Sequence, residues 1–161
     1  MRRALPNANR LFSHPDYRDY LKRTEICEKE RSFCRHDLEH FIDVARIANL
    51  MALEEGLVLS ADLIYTTALL HDIGRFVEYA DGTPHELASA KLAETLLADL
   101  DFSAADQKII LSAIKNHRNK TATGFDGIFY RADKASRACY GCPAESECRW
   151  PAEKKNFDIL Y

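Results

Sequence analysis

A histidine and an aspartate stand side by side in Leu69-Leu70-His71-Asp72-Ile73-Gly74-Arg75, at the end of an apolar run and just before a glycine. Imidazole and carboxylate together bind divalent metals and move protons near neutral pH. His40, His85, His117 and Asp133 fall at inward-facing positions of other predicted helices. One histidine on an apolar face is more often a core residue bonded to a backbone carbonyl, and one inward aspartate is more often a cap or half of an ion pair. Several segments doing this together are a different matter. An unpaired ionised carboxylate in apolar surroundings costs several kcal/mol or changes protonation. Without enough inward lysine or arginine to pair them, such groups call for a cation, which satisfies them together and adds folding free energy. Imidazole plus carboxylate without thiolate suits iron, manganese, zinc, cobalt or nickel. Asp72 has two oxygens and can bridge two ions at the ~4 Å spacing of two-metal hydrolytic sites. The set His40, His71, Asp72, His85, His117 and Asp133 exceeds the needs of one tetrahedral ion, so one or two divalent metals are expected, with two favoured.

The elements that must carry these groups are helical nearly throughout. Ser13, Pro15 and Asp16 read as an N-cap, a first-turn proline and a dipole-complementing acid. A helix from about His36 to Glu55 follows, stopped by Gly56. Ser60 caps the next, which reaches His71-Asp72, and Gly74 permits a turn. Pro84 leads into a helix from about His85 to Asp99. Ser103 with Asp106 caps another that ends near His117 and Arg118. The last runs from about Asp126 to Cys139, and the tail from Gly141 to Tyr161 is irregular. On a helix, positions three or four apart share a face. His40 then shares a face with Val44, Ile47 and Met51; His71 continues Ile64 and Ala68; His85 begins Ala88, Leu92, Leu96; His117 ends Ile110, Ile114; Asp133 follows Phe129. No alternating pattern supports a sheet. The fold expected is all-α: a single-domain bundle of about six helices over residues 1–161, with a metal-site core over about 33–140 and a cysteine-bearing tail over 139–161.

The bulk properties narrow the function classes. A chain of 161 residues suits one core, and 47% hydrophobic with 29% charged residues is ordinary for a soluble protein. The net charge of −3 leaves no basic footprint for a nucleic acid polymer. No apolar run is long enough to cross a bilayer, and Met1 to Asn7 lacks the apolar segment of a signal peptide, so a cytoplasmic protein is expected. There the 5 cysteines should be reduced, and clustered ones bind metal more often than they form disulfides. Cys139-x-x-Cys142 followed by Cys148 resembles a metal knuckle short of a fourth ligand. Cys34 lies six residues before His40, and Cys139 six after Asp133. If His40 and Asp133 share a metal on antiparallel helices, both cysteines are displaced the same way by ~9 Å and should meet. A site of Cys34, Cys139, Cys142 and Cys148 holding zinc or an iron–sulfur cluster would clamp the tail to the bundle. The alternative is reduced, unliganded cysteines in a packed tail; Cys27 reads as helix packing.

Three motifs taken in order resemble the HD-domain superfamily of metal-dependent phosphohydrolases. They are His40-Phe-Ile-Asp-Val-Ala-Arg-Ile-Ala, Ala68-Leu-Leu-His-Asp-Ile-Gly-Arg75 and Ala132-Asp133-Lys134, and the resemblance covers about residues 33 to 140. It implies an all-α bundle. It also implies that His40, His71, Asp72 and Asp133 hold a first metal, with His85 and His117 adding a second and Asp72 bridging. The Gly-Tyr-Pro motif of the cyclic-di-GMP-degrading subgroup is absent. The expected activity is hydrolysis of a small phosphoester, a nucleotide among others, by a metal-activated hydroxide. Arg75 is the first choice for a phosphate clamp, with Lys134 and Arg118 behind it and solvated surface positions as their alternative. His36, one turn before His40, can donate to a leaving group or orient water, or serve only as a support. A di-iron oxygenase, as in some HD-domain relatives, and a non-catalytic metal or redox sensor remain open, and a homodimer is possible.

Overall fold

A computed structural model describes residues 4–161. Met1 to Arg3, the start of the stretch read above for a leader, lie outside the described residues. Among the described residues the chain is all-α, with eight α-helices and three short 3-10 turns. The α-helices are α1 (Pro6–Ser13), α2 (Pro15–Cys27), α3 (Leu38–Glu54), α4 (Ala61–Leu70), α5 (Arg75–Asp81), α6 (His85–Leu97), α7 (Ala104–Asn116) and α8 (Gly124–Ala135). No described helix is long and apolar enough to cross a membrane.

The bundle is built around α4. Every residue of α4 except Tyr65 is buried, so it is covered on nearly all sides rather than along one stripe. α1, α3 and α7 pack on it, while α8 closes against α3 and α7. This central helix ends at His71, so the His-Asp doublet emerges from the middle of the core.

The six expected helices are all present, and two short ones join them, for physical reasons. α1 has no side-chain cap of its own at Leu5. Its first-turn N–H groups are capped from a distance by the buried Asp62 of α4. Asn7 N–H donates to Asp62 Oδ2 at 3.0 Å, and Ala8 N–H to Oδ1 at 2.9 Å. α5 forms directly after the doublet, from Arg75. Gly74 lies in the turn expected there, though not for its backbone freedom, since its φ of −85° is ordinary. What Gly74 permits is contact. A Cβ there would lie 2.4 Å from Ser89 N and 2.7 Å from Ala88 C, backbone atoms of α6. Gly74 N–H donates to Ser89 Oγ at 2.9 Å, and this approach carries α6 and His85 up to the doublet.

Several ends also move. α2 is capped by the His14 imidazole, which accepts from Asp16 N–H, not by Ser13. α3 starts at Leu38 under an Asp37 cap, leaving His36 in the loop before it. Gly56 ends α3 as expected, with a φ of 68°. Leu57 N–H reaches Ala52 O at 2.8 Å and Gly56 N–H reaches Leu53 O at 3.2 Å, the paired bonds of a glycine-terminated helix. α8 stops at Ala135, so Cys139 does not share a helix with Asp133; it begins a separate 3-10 turn, Cys139–Gly141.

Candidate metal centre

The expected ligand residues converge. His71 caps the C-terminus of α4 and Asp72 follows it; His85 opens α6; His117 caps the C-terminus of α7; His40 lies in the first turn of α3 and Asp133 in the last turn of α8. His71, Asp72, His85, His117 and Asp133 are buried, and His40 is mostly so.

Asp72 sits at the middle with its two oxygens facing different groups. Its Oδ2 lies 3.3 Å from His71 Nε2, 3.7 Å from His36 Nε2 and 3.9 Å from His40 Nε2. Its Oδ1 lies 3.2 Å from His85 Nε2 and 3.5 Å from His117 Nε2. Asp133 Oδ1 completes the first side, 3.5 Å from His40 Nε2 and 3.8 Å from His71 Nε2. Two triplets of ligand atoms, His40–His71–Asp72 and Asp72–His85–His117, each fall within 4.8 Å.

The imidazoles are oriented from behind. His71 Nδ1 pairs with Ala68 O at 2.7 Å, and His117 Nδ1 with Ile114 O at 2.7 Å. His85 Nδ1 meets Glu78 Oε2 at 2.9 Å, and His36 Nδ1 meets Glu28 Oε1 at 2.6 Å. His40 Nδ1 lies 3.3 Å from Ser136 Oγ, whose own proton goes to Asp133 O at 2.7 Å. At His40, His71, His85 and His117 each Nδ1 faces an acceptor, and a proton there leaves the Nε2 lone pair on the side of Asp72.

Those inward lone pairs test whether a metal fits. His85 Nε2 and His117 Nε2 face each other at 3.2 Å. With both Nδ1 atoms protonated, this is lone pair against lone pair, a repulsion that a cation between them removes. His40 Nε2, His71 Nε2 and Asp72 Oδ1 are buried and have no hydrogen-bond partner. Each such orphan costs about 1–3 kcal/mol, and coordination satisfies all of them. These residues can hold a divalent metal, and their two-sided arrangement about Asp72 suits a pair.

The charge states follow the same environment. Burial and the neighbouring His71 push His40 down to about 4, and burial also lowers His85. Burial would raise both aspartates. The charge of His71 nevertheless holds Asp72 well below the usual carboxylate range, and Lys134 with His71 does the same for Asp133. Burial opposes protonation of His71, but the charge of Asp72 raises it. Neutral imidazole and ionised carboxylate are the forms that bind metal; the shifts favour them at His40, His85, Asp72 and Asp133, while His71 would give up its proton to the ion.

The cations picked out around the site take distinct positions. Arg75 Nε lies 3.6 Å from Asp72 Oδ1 without a hydrogen-bond partner, and its Nη1 reaches Glu78 Oε2 at 3.3 Å. Lys134 Nζ is ion-paired to Asp133 Oδ2 and lies 5.4 Å from the Tyr130 ring centroid. Arg118 pairs with Glu86 at 3.6 Å and is exposed. All three open on a cavity of about 1350 Å³ with His36, His40, Asp72 and Asp133 on its floor. Cys34, Cys139, Cys142 and Cys148 line the same cavity, whereas Cys27 is exposed and apart from it.

Sequence reasoning missed the supporting residues. Glu28 is buried, accepts His36 N–H at 2.7 Å and Tyr79 O–H at 2.8 Å, and clamps the His36 ring. Burial alone would raise its carboxyl, yet the bonds and charge of His36 hold it down to about 2. In the sequence it sits in the charged run Glu28-Lys29-Glu30-Arg31, which reads as a solvated face. Glu78 belongs to the unexpected α5. Ser136, one turn after Asp133, is the support that helical spacing alone can reach.

Comparison with known proteins identifies the family and the fold. A protein of Clostridium beijerinckii with no described function is 46% identical over 153 residues, spanning 95% of this chain and 98% of that one. Ribonuclease Y of Acetivibrio thermocellus is 32% identical over 117 residues, and that of Chloroflexus aurantiacus 35% over 89 residues. The matches cover 71% and 55% of this chain but only 20% and 16% of those enzymes. The crystal structure of a predicted HD superfamily hydrolase from an uncultured Thermotogales bacterium superposes with a TM-score of 0.62. It is 24% identical, and the superposition covers 91% of this chain and 85% of that one, which establishes a shared fold. Residues 37–139 match the HD domain, a span that begins at the α3 cap, contains all six converging ligand residues and ends at Cys139; the chain belongs to the HD-domain family.

Proposed function

We propose that this chain is a metal-dependent phosphohydrolase acting on a small phosphoester, with a nucleotide as the favoured substrate. The observation that carries the reading is the division of Asp72, whose Oδ2 and Oδ1 face separate sets of inward Nε2 atoms beneath a cation-lined cavity. Family membership supports the reaction class. The partial similarity to enzymes named Ribonuclease Y supports a phosphodiester between nucleosides as one bond type. The net charge of −3 favours a small substrate over a nucleic acid polymer.

When bound, the divalent metal supplies Lewis acidity, acidifying a water and neutralising charge on phosphoryl oxygens. His40, His71, Asp72, His85, His117 and Asp133 would hold it; the donor set suits iron, manganese, zinc, cobalt or nickel. The remaining work belongs to the chain. Arg75 directs its unpartnered Nε toward the floor and donates to a phosphate oxygen there. Lys134, tethered to Asp133, adds a second positive charge at the rim. His36 has Nδ1 locked on Glu28 and Nε2 directed at Asp72, so it is placed to pass a proton to a leaving oxygen. Residues 1–161 work as one unit in this scheme, with the tail as a cavity wall.

The test is phosphate release from a panel of nucleoside mono-, di- and cyclic phosphates by protein loaded separately with Mn, Fe, Co, Ni or Zn. Turnover by the parent and its loss in Asp72→Ala are expected. Equal activity in Asp72→Ala overturns the reading, and oxygen consumption without phosphate release replaces it with di-iron oxygenase chemistry.

A further inference from the structure

Residues 136–161 include no buried residue, and their only regular structure is three 3-10 turns of three residues each. A segment of this length with no core of its own needs clips to hold one conformation. Some polar clips are visible. Asn156 Nδ2 donates to Lys134 O at 2.8 Å and Arg137 O at 2.9 Å, taking up carbonyls at and beyond the end of α8. The Arg137 guanidinium lies 4.0 Å from the Trp150 ring centroid and donates to Lys154 O at 3.2 Å. Lys155 Nζ reaches Glu145 Oε1 at 2.8 Å. Such contacts near solvent contribute about 1 kcal/mol each or less.

The cysteines form the remaining pattern. Cys142 N–H donates to Cys139 O at 3.3 Å, closing the Cys-x-x-Cys turn, and Cys148 N–H donates to Glu145 O at 3.0 Å. Each of these two cysteines leaves a 3-10 turn in the same extended conformation, with φ/ψ of −74°/119° at Cys142 and −72°/119° at Cys148. Cys34 reaches the group from the other side. Its loop is pinned by Arg31 Nε donating to Cys34 O at 2.7 Å. Cys139 and Cys142 are near enough to act on its thiol by charge. All are free thiols lining one cavity.

We propose that Cys34, Cys139, Cys142 and Cys148 form a four-thiolate metal site that clamps the C-terminal tail over the His/Asp cavity. It is a second site, distinct in donor chemistry and independent of the reaction the first performs. Thiolates select zinc or an iron–sulfur centre, whereas imidazole and carboxylate also take manganese, cobalt or nickel. Among the described residues no three of the sulfurs fall within 4.8 Å of one another. A lone tetrahedral zinc draws sulfurs to about 3.8 Å from each other, given bonds of about 2.3 Å. Four thiolates can hold either a single zinc or an iron–sulfur cluster, and the metal content tells them apart. Trp150, Tyr161 and Lys155, all in the tail, line the cavity above His40 and Asp72. The clamp would thereby set the wall that substrate meets.

The experiment is elemental and acid-labile-sulfide analysis of full-length protein purified without oxygen from iron- and zinc-supplemented cells. The parent is compared with Cys142→Ser, Cys34→Ser, Cys27→Ser and Asp72→Ala. Expected is a metal pool lost in Cys142→Ser and Cys34→Ser but kept in Cys27→Ser and Asp72→Ala. Iron lost with sulfide and with visible absorbance near 400 nm identifies a cluster; one equivalent of zinc lost identifies a single ion. Circular dichroism confirms that the serine variants keep the helical bundle. Metal content unchanged in both folded serine variants overturns the proposal, whatever the phosphatase assays show.

Discussion

The His/Asp centre and the cysteine-bearing tail both gather metal-type ligands, yet they are built in opposite ways. The first sits in the interior, at the end of a helix buried on nearly all sides, and packing with backbone acceptors holds its side chains. The second has no buried residue at all, and its chain is held by turns and a few polar contacts. A site inside a packed bundle is preorganised by the fold and asks little of the ion for its shape. A coreless segment takes its order from whatever ties it down. The two should therefore respond differently to the same kind of damage.

The largest expected effect tests the interior site alone. Asp72→Ala removes both faces of the shared carboxylate and should lower phosphate release on the order of 10³-fold. Its helical content should persist, since the flanking core residues stay in place. Next comes Gly74→Ala, which puts a Cβ against the backbone of Ser89 and Ala88. Loss of about 3 kcal/mol in denaturant unfolding is expected, with lower metal affinity, because α6 must retreat and take His85 with it. A variant as stable as the parent would show that this approach is not what positions α6.

Glu28→Gln should cost about 2 kcal/mol near neutral pH, since a charge-assisted pair to His36 is lost. The pH dependence has a definite sign. The folded carboxyl titrates at about 2, below its ordinary value of 4.5. Its contribution is therefore full above about pH 4.5 and lost as pH falls toward 2. The gap between parent and variant should close over that window, and a gap independent of pH would refute the assignment. The smallest effect probes the tail. Asn156→Ala should leave global unfolding within about 0.5 kcal/mol of the parent while raising amide exchange and proteolysis over residues 136–161. A large global loss there would mean that the tail is part of the cooperative core, and the contrast between the two regions would fail.

Much of the site was legible because a helix repeats locally. The spacings His40–Val44 and Ile110–Ile114–His117 point to one face without knowledge of what lies opposite. The Ser103/Asp106 capping box and the Gly56 stop are equally local, and both are present. What escaped was non-local. α1 is capped by Asp62, more than fifty residues away, so its own sequence offers a first-turn Pro6 but no capping side chain. The value of Gly74 lies in a contact with Ser89, which no turn rule anticipates. Glu28 reads as surface until His36 and Tyr79 close over it. The end of α8 at Ala135, before Cys139, depends on the tail turning back for Asn156 to take its carbonyls.

The amino-acid order alone determined that the chain is helical, which faces are apolar, and that imidazoles and carboxylates lie on those faces, since each follows from periodicity and side-chain chemistry. Only the tertiary structure decided that they meet around Asp72, with each Nδ1 held from behind and each Nε2 turned inward. Which lone pair faces which is set by contacts between helices far apart in sequence, and no local rule encodes them.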